Sequence, residues 1–403
     1  MSNLNFTFPQ KTKTLTYALM GVGLVSIIAA FICDSPAVAD EHYHHTRAWA
    51  NILINSFFFM AIGLGAAFFM GLQYAAEAGW ATSVKRIMEA VAWVLPWGLS
   101  LMMLMFILGQ FGFHNLYAFF DKDAIAHSPK IQAKMGYFGW FWWLRTILYM
   151  VGWLYFTNKL RKNSVDADSA PANDHTLHFK NVKLGAWFMV VFAVTSSTSA
   201  WDWLMSIDIT WFSTMFGWYV FSGMWVSAII SILLIVIYLK KLGYLEFVTS
   251  GTVHDLGKWM FAISFLWSYL YFCQFMLYWY ADIPDEVIYF QQRWENYKPL
   301  MWTVFFINFA CPMLMLMSTD AKRNFWYLTF VGFVIFVGHY LDVVMMVMPG
   351  TVGKHWTGVS WMEIGTFLGF LGLFMHVVFT NLSKRALMVK NHPYLDEALH
   401  HSV

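Results

Sequence analysis

Charged residues are scarce in this chain of 403 residues. They make up 12% of the sequence, whereas an ordinary soluble domain carries roughly 25%. Hydrophobic residues make up 59%, which excludes an ordinary soluble domain and indicates a membrane protein. The formal net charge is only +2, so nothing in the composition points to nucleic acid as a partner.

Cysteine is also scarce, and the usual ligand sets of redox centres are missing. Cys33, Cys273 and Cys311 are too few and too scattered for a disulfide framework, a zinc knuckle or an iron–sulfur cluster. There is no C-x-x-C-H motif, and the deep histidines His339 and His376 lie at different depths, so they cannot share one haem. The sequence therefore predicts that this chain binds no cofactor or metal of its own.

Long apolar runs dominate what is present. A helix needs roughly 20 residues to cross about 30 Å of hydrocarbon. Ten runs are long enough: 14–33, 50–74, 87–112, 137–157, 184–201, 214–238, 258–280, 299–317, 325–348 and 360–382. The first exceeds a usual signal-peptide core, so we expect it to be a permanent helix. The sequence thus predicts an all-α polytopic membrane protein, a single membrane domain over residues 1–403 with a tail at 383–403.

Lysine and arginine are distributed unevenly between the two sides of these spans. Of the 25 such residues, 17 lie in the N-terminus, in the loops after spans two, four, six and eight, and in the C-terminus. Seven lie on the other side, and Arg145 lies within a span. The positive-inside rule therefore places both termini in the cytoplasm.

Two parts of the sequence resemble each other. An aspartate after an aromatic-apolar pair recurs as Asp202 at the end of span five and as Asp342 in span nine. Spans two and six also match loosely. We expect two four-helix bundles related as parallel repeats. The alternative is that the two parts resemble each other by chance, since aromatic-rich helices are often similar. The bundles would cover 50–201 and 211–348, with peripheral helices at 14–33 and 360–382.

Ionisable side chains inside spans are costly, so each is a candidate for function. Depth alone groups the outer candidates into one cluster: Arg145, Asp202, His339, Asp342 and Glu363, with Tyr340 as an extension of the hydrogen-bonded path. His339 and Asp342 share a helix face because they lie three residues apart. Such a cluster suits proton exchange or a quinol site. The alternative is an ion-paired structural lock, since Arg145 needs a carboxylate or carbonyls in either case.

A second group of titratable residues lies on the predicted cytoplasmic side: Glu89, His254, Asp255, Lys258 and His376. These residues would form a proton entry route. The alternative is that side chains at helix ends simply reach water by snorkelling. That alternative does not apply to His376, which lies well inside its span.

The stretch from Trp201 to Phe221, WDWLMSIDITWFSTMFGWYVF, closely resembles a known family. It is similar to the ActF-type membrane subunits of bacterial alternative complex III, within the wider NrfD-like, polysulfide-reductase-type family. The length, the ten spans and the two-bundle layout agree over essentially the whole chain. The resemblance implies a subunit of a respiratory quinol:cytochrome c oxidoreductase in the bacterial inner membrane, and it adds Asp208 to the candidate proton-pathway residues.

The resemblance also implies partners and cofactors. Haem c and iron–sulfur clusters would belong to other subunits: c-type cytochromes and an iron–sulfur, molybdopterin-like periplasmic subunit. A homologous ActC-type subunit is where the quinol site is expected, although quinol at this chain is kept as a possibility. A terminal oxidase and structural phospholipids are further expected partners.

Three functions stay open at this point. The chain would be a proton-conducting subunit that also anchors peripheral redox subunits, a quinol-binding subunit, or a purely structural scaffold. The sequence does not decide whether the chain itself takes part in catalysis. A stand-alone transporter is a weaker alternative. It lacks the Gly/Pro-broken helix pair expected of that class, but Pro96 in span three and Pro312 in span eight keep it open.

Overall fold

The structure is a computed structural model, and it describes residues 4–34, 46–171 and 173–402. The described chain is α-helical, which confirms the predicted fold class. Its helices are α1 (Gln10–Cys33), α2 (Thr46–Ala75), α3 (Lys85–Ala92), α4 (Leu95–Gln110), α5 (Lys122–His127), α6 (Pro129–Phe138), α7 (Trp140–Ala167), α8 (Thr176–Trp203), α9 (Met215–Lys241), α10 (Ser250–Ala281), α11 (Pro284–Asn296), α12 (Lys298–Phe305), α13 (Cys311–Met315), α14 (Phe325–Thr351), α15 (Trp361–Leu382) and α16 (Leu395–Leu399).

Nine helical stretches of the described chain are long and apolar enough to cross a membrane. They correspond to nine of the ten predicted spans. The tenth, predicted at 137–157, is present as the 28-residue helix α7 but is less apolar by hydropathy. Its sequence is rich in Trp and Tyr, which favour the membrane interface, and it contains Arg145.

Two helices, α2 and α9, lie side by side at the centre and are buried along most of their length. Helix α2 packs against α3, α4 and α8, and α7 packs on α8. Helix α9 packs against α10 and α14, and α12 and α13 fill the space between those two. The core is therefore built around the contact between α2 and α9.

Prolines interrupt two of the predicted spans. Pro96 has no N–H to donate to the carbonyl of Ala92, and the predicted span 87–112 is divided into α3 and α4 at that point. The predicted span 299–317 is divided into α12, a π-helical turn at Phe306–Ala310, and α13. There Pro312 frees the carbonyl of Asn308, which lies 3.4 Å from Ser268 Oγ, a hydroxyl that also contacts Ser264 O at 2.8 Å.

A third proline, Pro349, lies inside α14. It leaves the carbonyl of Met345 without its helical partner. Arg293 of α11 fills this gap, because its Nε donates to Met345 O and its Nη2 to Met346 O, each at 3.3 Å. Arg293 therefore joins α11 to the end of α14.

The peripheral helices α1 and α15 pack tightly against each other. Glycines make this possible: a Cβ placed on Gly369 would lie 2.5 Å from Cα of Gly23. A Cβ on Gly372 would lie 2.9 Å from the carbonyl oxygen of Thr16. Small residues that allow close backbone contact are typical of helix pairs in membranes.

The two ends of the molecule differ in charge. One end, called here the basic end, carries Lys85, Arg86, Arg161 and Lys258, together with the tail. The tail crosses this end: Leu387 N donates to Leu4 O at 2.7 Å, and Lys390 N donates to Asp168 Oδ1 at 2.9 Å. The opposite end carries Arg47, Asp208, Arg293 and Glu363.

Candidate functional site

The carboxyl group of Asp342 on α14 lies in the interior, against α9 and α10. Asp342 is buried, with only 1% of its surface exposed. Tyr219 of α9 donates to Oδ1, and Trp267 Nε1 of α10 donates to Oδ2 at 2.9 Å. Within the described residues no Lys, Arg or His forms an ion pair with Asp342. The charge of its carboxylate would therefore be uncompensated.

His339 lies one helical turn before Asp342 and faces the same region. It is buried, its ring contacts Trp267 edge-on at 5.5 Å between centroids, and neither ring nitrogen has a hydrogen-bond partner in the described structure. His339 and Asp342 both line a cavity of about 20 Å³. A space of this size admits one water molecule, which would satisfy polar groups that the protein leaves open.

Small and polar residues continue from this cavity along one face of α9. Tyr219, Gly223, Ser227 and Ser231 follow each other at intervals of four residues. Gly223 and Ser227 line the cavity beside His339. Since a helix rises 1.5 Å per residue, this polar stripe extends roughly 18 Å from Asp342 towards the basic end.

Asp202, which the predicted repeat pairs with Asp342, is bound quite differently. Arg145 donates to it twice, from Nη2 to Oδ1 at 2.7 Å and from Nε to Oδ2 at 2.8 Å. Tyr149 OH also donates to Oδ2, at 2.9 Å. Arg145 additionally lies over the ring of Tyr137 at 3.7 Å. This geometry is a bidentate, buried ion pair of structural character.

Glu363 forms a third site near the opposite end. Arg47 at the start of α2 donates to both carboxylate oxygens, at 2.9 and 3.0 Å. Ser360 completes a capping box with Glu363 at the start of α15. Tyr340 OH lies between these helices, where it accepts from Asn55 Nδ2 at 3.3 Å. These contacts tie α2, α14 and α15 together.

Asp208 is also engaged in an ion pair. Its Oδ2 accepts from Nη2 of Arg293 at 3.2 Å, and its side chain is 21% exposed. Arg293 is the same residue that donates to the carbonyl freed by Pro349. Asp208 therefore balances a structural cation at the edge of the bundle.

At the basic end, Glu89 lies within a small charged group. Its Oε2 accepts from Arg86 Nη1 at 2.5 Å, while its Oε1 is buried without a partner in the described structure. Arg86 also donates to Asp168 Oδ2 at 2.5 Å. Arg86 therefore has two carboxylates, and Glu89 keeps one oxygen available.

His254, Asp255 and Lys258 lie at the start of α10. His254 is buried, and neither ring nitrogen has a partner in the described chain. Asp255 pairs with Lys258 and also contacts His401 Nε2 of the tail at 2.6 Å. Three of the predicted inner residues are thus neighbours in the structure.

His376 does not join this inner group. Its Nδ1 lies 3.3 Å from Thr16 Oγ1 of α1, and its ring is 5.0 Å from that of Tyr17. It belongs to the contact between α1 and α15. No described hydrogen bond connects it to Glu89 or Asp255.

The single outer cluster predicted from depth is therefore three separate sites. No hydrogen bond or ion pair among the described residues joins Asp202, Asp342 and Glu363 to one another. Depth fixes the position of a residue along its helix but not the direction in which the helix presents it. The prediction also missed Arg47, which was counted as a loop residue although it opens a span, and Trp267, which nothing distinguishes among 22 tryptophans.

The described geometry is that of a multi-pass membrane protein with one uncompensated interior carboxyl group and several locked ion pairs. A scan against protein-family models found no match, and a search of curated proteins found no significant match.

Proposed function

We propose that the chain is a proton-conducting membrane subunit of a respiratory quinol:cytochrome c oxidoreductase of the alternative complex III type, and that it also anchors peripheral redox subunits. It lies in a bacterial inner membrane with both termini in the cytoplasm. The observation that carries the proposal is the buried carboxyl group of Asp342, which has two hydrogen-bond donors and no cation. The resemblance of residues 201–221 supports the type of complex, and the distribution of Lys and Arg supports the orientation.

The surroundings of Asp342 suit a group that gains and loses a proton. The two donors stabilise the carboxylate, but burial without a cation makes its charge costly. Neither protonation state is fixed by a partner, in contrast to Asp202, whose carboxylate is bound by Arg145. His339, with both nitrogens open, is placed to exchange a proton with Asp342 through a water in the shared cavity.

A route towards the basic end is provided by α9 and α10. The polar stripe of α9 leads away from Asp342, and the buried hydroxyl of Ser264 on α10 has no partner in the described structure. His254 and Asp255 lie at the basic end of the same helix α10. Unpartnered buried polar groups of this kind are ordinarily satisfied by water, and a chain of waters along them would carry protons.

The cavity also bears on the alternative of a quinol site. The space of about 20 Å³ beside Asp342 suits a water-sized group, which favours a proton site over a quinol site there. The ion pairs of Asp202, Asp208 and Glu363 join helices of this chain to one another, which suits a rigid membrane body. The anchoring part of the proposal rests on the resemblance of residues 201–221.

The first experiment uses the purified full chain in lipid nanodiscs. Infrared difference spectra recorded across a pH titration should show the carbonyl stretch of a protonated carboxyl group that appears and disappears with pH. Asp342→Asn should abolish that signal, whereas Asp208→Asn, the matched control, should preserve it. A wild-type spectrum without this signal, or a signal that survives in Asp342→Asn, would refute the assignment.

The second experiment uses the whole complex in proteoliposomes. Asp342→Asn should lower the number of protons translocated per electron while quinol oxidation continues when the membrane is uncoupled, and Asp342→Glu should restore part of it. If translocation is unchanged in an intact complex, the chain is a scaffold and the proposed function fails.

A further inference from the structure

A cleft at the basic end is lined by basic side chains from three parts of the chain. Lys85 of α3, His178 of α8 and His392 of the tail line it, together with Tyr74 at the end of α2. The cleft is open on one side, and its enclosed part measures about 20 Å³. None of these residues takes part in the ion pairs described above.

Lys85 is a buried cation without a counter-charge. It is 8% exposed, its Nζ lies 4.3 Å from the ring centroid of Tyr74, and no carboxylate pairs with it in the described chain. The next residue, Arg86, has two carboxylates within 2.5 Å. A buried ammonium group is costly unless it is paired, and in the described chain Lys85 has no carboxylate within ion-pair distance.

His178 is a second buried side chain in the cleft whose polar atoms have no partner. It is 6% exposed, and neither ring nitrogen has a hydrogen-bond partner in the described structure. Its ring contacts that of His392 at 4.6 Å between centroids. Nδ1 of His392 accepts from Tyr394 N at 3.3 Å, which leaves the N–H of the neutral ring on Nε2. The cleft therefore offers an ammonium group and imidazole N–H donors.

One acidic residue, Glu77, also lines the cleft. Tyr394 OH donates to its Oε1 at 3.3 Å, so Glu77 helps to hold the tail in place. Beyond the cleft, α8 exposes Phe179 and Trp187 and the lysines Lys180 and Lys183. Exposed aromatic residues next to lysines are typical of a helix at the level of lipid head groups.

We propose that this cleft binds one phosphate oxyanion, carried by an anionic phospholipid head group or by free inorganic phosphate. One phosphate oxygen occupies the enclosed space between Lys85 and His178, and the rest of the group lies in the open mouth. The anion provides the missing counter-charge of Lys85 and accepts from His178, and since His392 comes from the tail, binding fixes the tail against α3 and α8.

The test measures ligand binding by native mass spectrometry of the delipidated full chain, titrated with phosphatidylglycerol and separately with inorganic phosphate. A charge-assisted hydrogen bond is lost in Lys85→Gln, so binding should weaken at least about tenfold. Lys85→Arg should restore it. Lys354→Gln, which removes the same charge from an exposed position at the opposite end, should bind like the wild type.

The two sources of phosphate give different results. Tight binding of phosphatidylglycerol that inorganic phosphate cannot displace assigns the cleft to a lipid, and displacement by phosphate assigns it to the free ion. Should Lys85→Gln fail to fold, His178→Gln is used with the same expected loss. Binding that is unaffected in both variants, or that is lost equally in Lys354→Gln, overturns the proposal.

Discussion

Two aspartates that the sequence treats as equivalents should lose very different amounts of stability on the same substitution. In Asp202→Asn an amide N–H₂ replaces one of two oxygens that both accept from Arg145. In either orientation of the amide, its N–H₂ group faces an N–H donor of Arg145. The guanidinium is also left without a counter-charge. Breaking a buried ion pair in this way costs about 3–5 kcal/mol.

Asp342→Asn should be far milder. The amide oxygen can accept from Trp267 Nε1, and the hydroxyl of Tyr219 can rotate to accept from the amide. No cation loses its partner, so the cost is about 1 kcal/mol or less.

The assay is the free energy of unfolding of the purified chain, measured by titrating mixed micelles with a denaturing detergent and following tryptophan fluorescence. The double variant Arg145→Met/Asp202→Leu serves as the control, because replacing both partners with apolar side chains should recover most of the loss. Equal costs for the two Asp→Asn variants, or no recovery in the double variant, would refute the distinction between a locked and an open carboxyl group.

Further predictions concern packing, the freed carbonyls and pH. Gly23→Val should lower the thermal unfolding midpoint by separating α1 from α15, while Gly21→Val, where nothing lies within 4 Å of the added Cβ, should not. Arg293→Gln should cost about 1.5–3 kcal/mol in unfolding free energy, and exposed Lys298→Gln almost nothing; similar values for both would contradict the carbonyl-capping role. Burial, followed by the charge of a nearby lysine, lowers the pKa of His392 to about 2. Below about pH 6.5 the unfolded chain therefore binds one more proton than the folded chain, and the free energy of unfolding should fall by up to about 1.4 kcal/mol per pH unit. His392→Gln should make this decline less steep between pH 7.5 and 5.5. An unchanged decline would contradict the assignment to His392.

The spans could be predicted because hydropathy over about 20 residues is a local property of the sequence. Even α7, which is weakly apolar, was found as a long helix. The breaks at Trp93 and at Phe306–Ala310 could not be placed, since a proline shows where a hydrogen bond is lost but not how the helix adapts.

The site was predicted only in part because side-chain partners depend on how each helix is rotated about its axis. Asp342 and His339 were grouped by their spacing, and both line one cavity in the structure. Asp202 was grouped with them, although α8 turns it towards Arg145 of α7. The partners of Asp342 are a tyrosine and a tryptophan from two other helices, and no sequence spacing connects them.

The two oxygens of Asp342 are not interchangeable, because one faces a phenol and the other an indole. A phenol can reverse its hydrogen bond and accept, whereas an indole can only donate. An added proton is therefore better placed on Oδ1, and its arrival makes the hydroxyl of Tyr219 turn around. The orientation of the Tyr219 hydroxyl therefore follows the protonation state of Asp342. Substitution of Tyr219 by phenylalanine would leave the carboxyl group in place but remove the group whose orientation reports that state.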